Sequence, residues 1–279
     1  MSTAQKVIKY LAIALAIFII ANIISGILFG LYSLASVLGL TKTNETETAN
    51  QNEIISQQEE ITNLENEKFE TLKIKLVYSN LTIKKGDTLK VESNNKYVSI
   101  KPKDNQLEIK EDVNKWLSRS NSKNSLTIYI PENTMFENVK IEAGAGNIKI
   151  EQLQAKELNF EIGAGKVEIE KLNVSNKAQI EGGAGKVDIL SGEMNNLNLD
   201  MGVGKFELKS KLTGKSKINA GVGKLDINLS DGIKNYKMEI SKGIGAIKID
   251  GKEMKDDTEF GEGDNLIKID GGIGAIDIK

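Results

Sequence analysis

Neither cysteine nor histidine occurs in the 279 residues of this chain. Disulfides, thiolate and imidazole metal sites, cysteine nucleophiles and Ser-His-Asp triads are therefore excluded by inventory. Arginine occurs once, as Arg119, which removes the usual bidentate clamp for phosphate or carboxylate. Aromatic residues make up 5%, too few for a stacking platform. Pro102 and Pro131 are the only prolines, which suits long runs of hydrogen-bonded strand. Lysine plus arginine (37) nearly balances aspartate plus glutamate (39). A net charge of -2 lacks the basic face that nucleic acid demands, so no nucleic-acid partner is expected.

Charge is also missing locally. From Leu11 to Leu40 no charged residue appears, and a membrane span needs roughly 20 apolar residues. The run predicts one transmembrane helix, with Tyr10 and Tyr32 as interfacial anchors. A signal peptide would carry a shorter apolar region, about 7–15 residues, ahead of a small-residue cleavage site. Lys6 and Lys9 precede the run, and Lys42, Glu45 and Glu47 follow it. The positive-inside rule then places the N-terminus in the cytoplasm and the rest of the chain outside. Asn22, Gly26 and Gly30 fall on one helical face, a GxxxG-type pattern that would let two helices approach closely. The reading is a single-pass protein of the cell membrane, with the lipid bilayer as its first partner. Residues 41–71 are polar and nearly glycine-free. Ile54, Ile61 and Leu64 take heptad core positions, but Gln57, Lys68 and Thr71 take the others. That supports a partly helical linker or stalk rather than a sustained coiled coil.

The second half of the chain repeats. Its glycine pairs are Gly144 and Gly146, Gly163 and Gly165, Gly183 and Gly185, Gly202 and Gly204, Gly221 and Gly223, Gly243 and Gly245, and Gly272 and Gly274. The first five pairs recur every 19 or 20 residues, and the last two follow gaps of 22 and 29. A fixed period of this size means one structural unit stacked on copies of itself.

The unit around Gly163 shows how. Leu158, Phe160 and Ile162 are apolar at even positions, and Val167 and Ile169 at odd ones. Both stretches alternate as half-buried strands do. Inward parity flips across the glycines, which a strand cannot do without a bend. Gly-x-Gly is therefore the structural corner. A unit of about 20 residues cannot close its own core, so the prediction is an all-β, parallel β-solenoid over residues 72–279. It follows a cytoplasmic tip and helix over 1–40 and the linker over 41–71. Ile148, Val167, Val187, Phe206, Leu225, Ile247 and Ile276 should form a continuous inner column.

Several chemistries fail on neighbouring residues. Gly-x-Gly-Lys ends at Lys166, Lys186, Lys205 and Lys224, but a phosphate loop needs Ser or Thr next, and Val, Val, Phe and Leu stand there. Gly182-Gly183-Ala184-Gly185 lacks the aspartate of calcium-binding nonapeptides, because Val187 occupies its place. The four lysines should instead stack as a column, with Glu168, Asp188, Glu207 and Asp226 beside them. This pair of columns is either a self-neutralised face or an interaction ladder for a repetitive envelope polymer. Residues 250–264 interrupt the repeat with many acids and lack EF-hand spacing, which reads as an exposed acidic loop. Val113, Trp116 and Leu117 fit a short amphipathic turn. The chain stops inside a repeat with no visible cap, and an open strand edge there would invite pairing.

The apolar N-terminal run, the strand Leu126-Thr127-Ile128-Tyr129-Ile130-Pro131 and the serial Gly-x-Gly units together resemble the bacterial "putative adhesin" family. This is a domain of unknown function that includes Lia-type cell-envelope proteins. The resemblance covers about residues 72–279. It implies a β-solenoid displayed on the envelope, and it supplies no catalytic residues. The expected function is a non-catalytic, adhesin-like interaction or stress-response module without cofactor or metal. Its partner would be a cell-wall polymer or envelope protein. The alternative is a membrane-tethered scaffold whose copies join end to end as a homo-oligomer through open solenoid edges.

Overall fold

A computed structural model describes residues 60–64, 67–112, 124–255 and 257–279. The apolar run, the Asn22, Gly26 and Gly30 face, most of the linker and the Val113–Leu117 turn lie outside them. Among the described residues no helix is long and apolar enough to cross a membrane.

The chain passes through β1 (Glu60–Asn63), β2 (Thr71–Leu76), β3 (Asn80–Gly86), β4 (Lys90–Ser93), β5 (Val98–Lys103), β6 (Gln106–Glu111) and β7 (Ser125–Pro131). β8 (Phe136–Ile189) is one run of extended backbone that turns several corners. β9 (Gly192–Asn195), β10 (Asn198–Thr213), β11 (Lys215–Asn219) and β12 (Val222–Leu229) complete the regular repeats. A short 3-10 turn, Ile233–Asn235, leads to β13 (Tyr236–Ser241), β14 (Ile244–Ile249), β15 (Lys252–Met254), β16 (Thr258–Phe260), β17 (Asn265–Asp270) and β18 (Ile273–Ile278). The fold is almost wholly β, an open solenoid-like stack of parallel rungs.

Two faces meet at the Gly-x-Gly corner. Residues before the glycines build the first face and residues after them the second. A short third face carries Leu172–Val174, β9 and Lys211–Thr213, paired in parallel. Alternation puts one set of side chains inside. Ile148, Val167, Val187, Phe206, Leu225, Ile247 and Ile276 are all buried, with Leu158, Phe160, Ile162 and Leu199 opposite them. Each such side chain contributes roughly 1.5–3 kcal/mol on burial, which no rung could gain alone.

The order of the stack departs from the order of the chain at both ends. On the C-terminal side β18 pairs in parallel with β12 on one flank and β14 on the other. β17 likewise lies between β11 and β13. The chain's final strands are therefore interior, not the open edge expected from the last repeat. The outer rung, β13 and β14, is covered by antiparallel β16 and β15. These two short strands are built from the segment read as an acidic loop. Its strand residues Lys252–Met254 and Thr258–Phe260 are the cap that the repeat pattern hides.

The N-terminal side mirrors this. β2 lies between β6 and the Asn138–Ala143 stretch of β8. β3 lies between β7 and the Ile148–Ile150 stretch. Antiparallel β5 covers β6, and antiparallel β4, followed by β1, covers β7. The outermost strands at this end are β1 on one face and β5 on the other, and β5 carries Pro102, Lys101 and Lys103, the residue types that blunt an exposed edge.

The linker boundary also shifts. The folded unit begins before residue 72, because Glu60–Asn63 forms strand β1 and Leu64 and Phe69 enter the core. Ile61 and Leu64 are thus strand and turn residues, and the heptad reading fails there. Ile61 pairs within the β1–β4 ladder and the Leu64 N–H donates to Leu89 O at 3.0 Å, partners that an isolated polar helix would not offer.

Candidate functional site: the corner column and its flanks

The corners stack directly on one another. From the N-terminal side the column runs Val77–Ser79, Gly144–Gly146, Gly163–Gly165, Gly183–Gly185, Gly202–Gly204 and Gly221–Gly223, then Gly272–Gly274 and lastly Gly243–Gly245. Gly204 shows why glycine is needed. Its φ is +140°, and a Cβ there would overlap the carbonyl oxygen of Gly185 in the rung beside it.

The corner peptides point one way. Ala145 N–H donates to Val77 O at 2.8 Å, Ile273 N–H to Gly221 O at 2.9 Å, and Ile244 N–H to Gly272 O at 2.8 Å. Aligned peptides leave unmet N–H groups at the N-terminal end of the column, where no further carbonyls arrive. Glu111 meets them. Its buried carboxylate accepts the backbone N–H of Val77 at 2.7 Å, of Tyr78 at 3.0 Å and of Ser79 at 3.3 Å. Ser79 Oγ and Asn95 Nδ2 donate to its other oxygen at 3.0 and 2.8 Å. An anion-binding nest is present in this fold, and the chain fills it with its own side chain. Nothing in the sequence around Glu111 marks it out from the other acids of alternating strands.

The lysine and acid columns form as spaced. Strand register aligns Lys186, Lys205 and Lys224, and Asp188, Glu207 and Asp226. Lys166 pairs with Glu168 at 3.0 Å, Lys186 with Asp188 at 2.7 Å, and Lys224 with Asp226 at 2.7 Å. Lys205 pairs with Glu207. Diagonal contacts join Lys186 to Glu207 at 3.6 Å and Lys205 to Asp226 at 3.7 Å. The hydrogen bond from the Lys205 ammonium, with the Lys186 charge nearby, holds the Glu207 carboxyl at about 2, well below the usual carboxylate range. Lys166 lowers Glu168, and Asp188 and Asp226 raise Lys186 and Lys224. The columns end at Lys224 on the lysine side, where Ala275 and Ala246 continue the register, and at Asp277 and Lys248 on the acid side. This is a lattice of ion pairs along the second face, with each charge answered by its own or the next rung.

No group of three or more His, Cys, Asp or Glu side chains arranged to hold a metal occurs among the described residues. Asp257 of the acidic segment instead accepts the Lys242 N–H at 2.6 Å, tying the cap to the last corner.

A family model described as Toastrack DUF4097 matches residues 47–267. The chain belongs to that family. The Toastrack match spans both the Gly-x-Gly rungs and the upstream strands that lack that corner. Among solved structures, the chain is similar to a "putative cell adhesion protein" from Clostridium sporogenes, 23% identical, with a TM-score of 0.38 over 80% of this chain and 98% of that one. It is also similar to a "putative adhesin" from Bacteroides fragilis, 16% identical, with a TM-score of 0.44 over 80% and 98%. A third, a "putative lipid binding protein" from Parabacteroides distasonis, is 13% identical, with a TM-score of 0.31 over the same shares. No curated protein matches.

Proposed function

We propose that this Toastrack protein is a membrane-anchored, extracytoplasmic interaction module of the cell envelope, adhesin-like and non-catalytic. The anchor is the apolar run Leu11–Leu40, and the solenoid stands outside the membrane. The observation that carries the reading is the closure of both stack ends by antiparallel strands. With the ends covered, the surface left for partners is lateral, the long faces and the corner column. The same closure counts against the alternative, a scaffold growing end to end. β1, β15 and β16, of four, three and three residues, are too short to template a further rung, and β5 is guarded by proline and lysine.

The topology is tested by labelling. The chain has no cysteine, so Ser230→Cys gives one exposed thiol on the folded unit. A membrane-impermeant maleimide should label it on intact cells, and labelling only after permeabilisation overturns the extracytoplasmic placement. Interaction is tested by retention of the purified full chain on isolated envelopes. The four ladder lysines already spend their charge within the lattice, so replacing all of Lys166, Lys186, Lys205 and Lys224 by Gln should leave retention unchanged. Loss of retention would make the ladder the docking face after all.

A further inference from the structure

The third side of the stack is not closed in the same way along its length. Leu172–Val174, β9 and Lys211–Thr213 close it on the regular rungs. On the N-terminal rungs, among the described residues, connections take their place: 67–70 ahead of β2, 87–89 between β3 and β4, and 132–135 between β7 and β8. Between these connections lies a cavity of about 580 Å³. Backbone hydrogen bonds hold its walls. Leu64 N–H donates to Leu89 O at 3.0 Å, Thr134 N–H to Pro131 O at 2.9 Å, and Glu70 and Thr71 N–H both to Asn105 O at 2.8 and 3.0 Å.

The cavity has an apolar floor and an acidic rim. Leu64, Phe69, Leu89 and Phe136 line it from the core, and Met135 stands at its mouth, 46% exposed. Glu67, Glu70 and Asp87 are exposed around it, against one cation, Lys68. The other side chains that line it are uncharged. Among the described residues none of these three acids takes an ion-pair partner, unlike the acids of the second-face lattice. The lysines close by are engaged elsewhere. Lys85 pairs with Glu132 at 3.0 Å and Lys90 with Glu92 at 2.6 Å, and Lys103 is matched by Asp104 beside it. A volume within roughly 300–1,000 Å³, apolar walls and a few polar groups are the general form of a small-molecule site. Here the polar groups also select a charge.

We propose that this cavity binds a small organic cation, an ammonium group carried on an apolar tail. The tail lies against Leu64, Phe69, Leu89 and Phe136, where leaving water drives it in. The ammonium stays at the mouth, among Glu67, Glu70 and Asp87. A neutral ligand of the same length gains the floor but not the rim. An anionic one sets its carboxylate among three like charges. The order of preference is therefore ammonium, then alcohol, then carboxylate. The rim is exposed, so added salt screens it and narrows the preference. The assignment uses residues of the folded unit alone and stands whether or not the envelope placement above holds.

The cysteine-free chain allows a direct test. Met135→Cys puts one thiol at the mouth of the cavity, and Ser230→Cys, which does not line it, is the control. Each full-length variant is purified in lipid nanodiscs, and its alkylation by iodoacetamide is timed by mass spectrometry. The probes are n-octylammonium, 1-octanol and octanoate at equal concentration. Octylammonium should slow the Met135→Cys reaction several-fold, octanol less and octanoate least, and none should slow Ser230→Cys. Adding Glu67→Gln, Glu70→Gln and Asp87→Asn to Met135→Cys should remove the advantage of octylammonium over octanol and leave the thermal melt in place. Asp87→Asn alone should remove part of it. Protection by octanoate equal to that by octylammonium overturns the assignment, and so does protection by none of the three. Equal slowing at Ser230→Cys, or an octylammonium advantage that survives the triple change, overturns it as well.

Discussion

Leu212 donates its backbone N–H to the hydroxyl of Tyr236 at 3.1 Å, and Tyr236 in turn donates to the Asp231 carboxylate. Leu212 lies on the last strand of the third face, where no further rung arrives to accept its N–H. The fully buried Tyr236 supplies the missing acceptor from the outer rung. Burial, helped by the Asp231 carboxylate, pushes its ionisation well above the ordinary tyrosine range. Tyr236→Phe leaves a buried donor unmet, which costs about 1–3 kcal/mol. The loss should appear as a lower urea midpoint with an unchanged slope.

Two glycines one corner apart should respond differently. Gly204→Ala places a methyl group on the Gly185 carbonyl in a backbone region that side chains rarely adopt. It should cost at least about 3 kcal/mol, beyond the usual range for a strained backbone position. Gly182→Ala meets nothing nearer than the Asp200 carbonyl oxygen at 3.9 Å, and its φ is not positive. It should stay within about 0.5 kcal/mol of the parent. Chemical denaturation of both variants decides whether the corners are as closely stacked as described.

Glu111 closes the positive end of the corner column. Glu111→Ala strands the N–H groups of Val77, Tyr78 and Ser79 together with Asn95, and should cost about 2–4 kcal/mol, more than one unmet donor. Glu111→Gln keeps an acceptor and should recover part of that loss. Equal effects of the two substitutions would mean that the carboxylate packs there without carrying the hydrogen bonds.

Acid should weaken the stack through the paired carboxylates. Hydrogen bonds from Lys140, then Lys75, hold Glu142 at about 2, against an ordinary value of 4.5. A group depressed in this way contributes stability above its unfolded value, and the contribution is lost as pH falls from about 4.5 through about 2. Lys140→Met should therefore lower stability at pH 7, and its difference from the parent should vanish near pH 2. Denaturation series at several pH values measure both limits.

The repeat and its corners are legible in the sequence because inward parity leaves a mark on every residue, as Ile162 and Val167 show. The lysine and acid columns follow from the same spacing. The order of the stack leaves no such mark. Ile276 follows Ile247 in the chain but sits between Leu225 and Ile247 in the core, because any strand with alternating apolar residues fits any neighbour of the same register. The caps are hidden for a related reason. β15 and β16 are short, charged and exposed, so Lys252, Glu253 and Glu259 look like loop residues until their backbone partners are known.

The account turns on a solenoid whose last strands, β17 and β18, lie inside the stack and whose stack ends are covered. Amide hydrogen exchange of β18 tests this most directly. Flanked by β12 and β14, the amides of Ile273–Ile278 should be protected to the same degree as those of Val222–Leu229, and far more than those of Lys252–Met254. Exchange of Ile273–Ile278 as fast as the short cap strand would place the final repeat at an open edge and contradict the account.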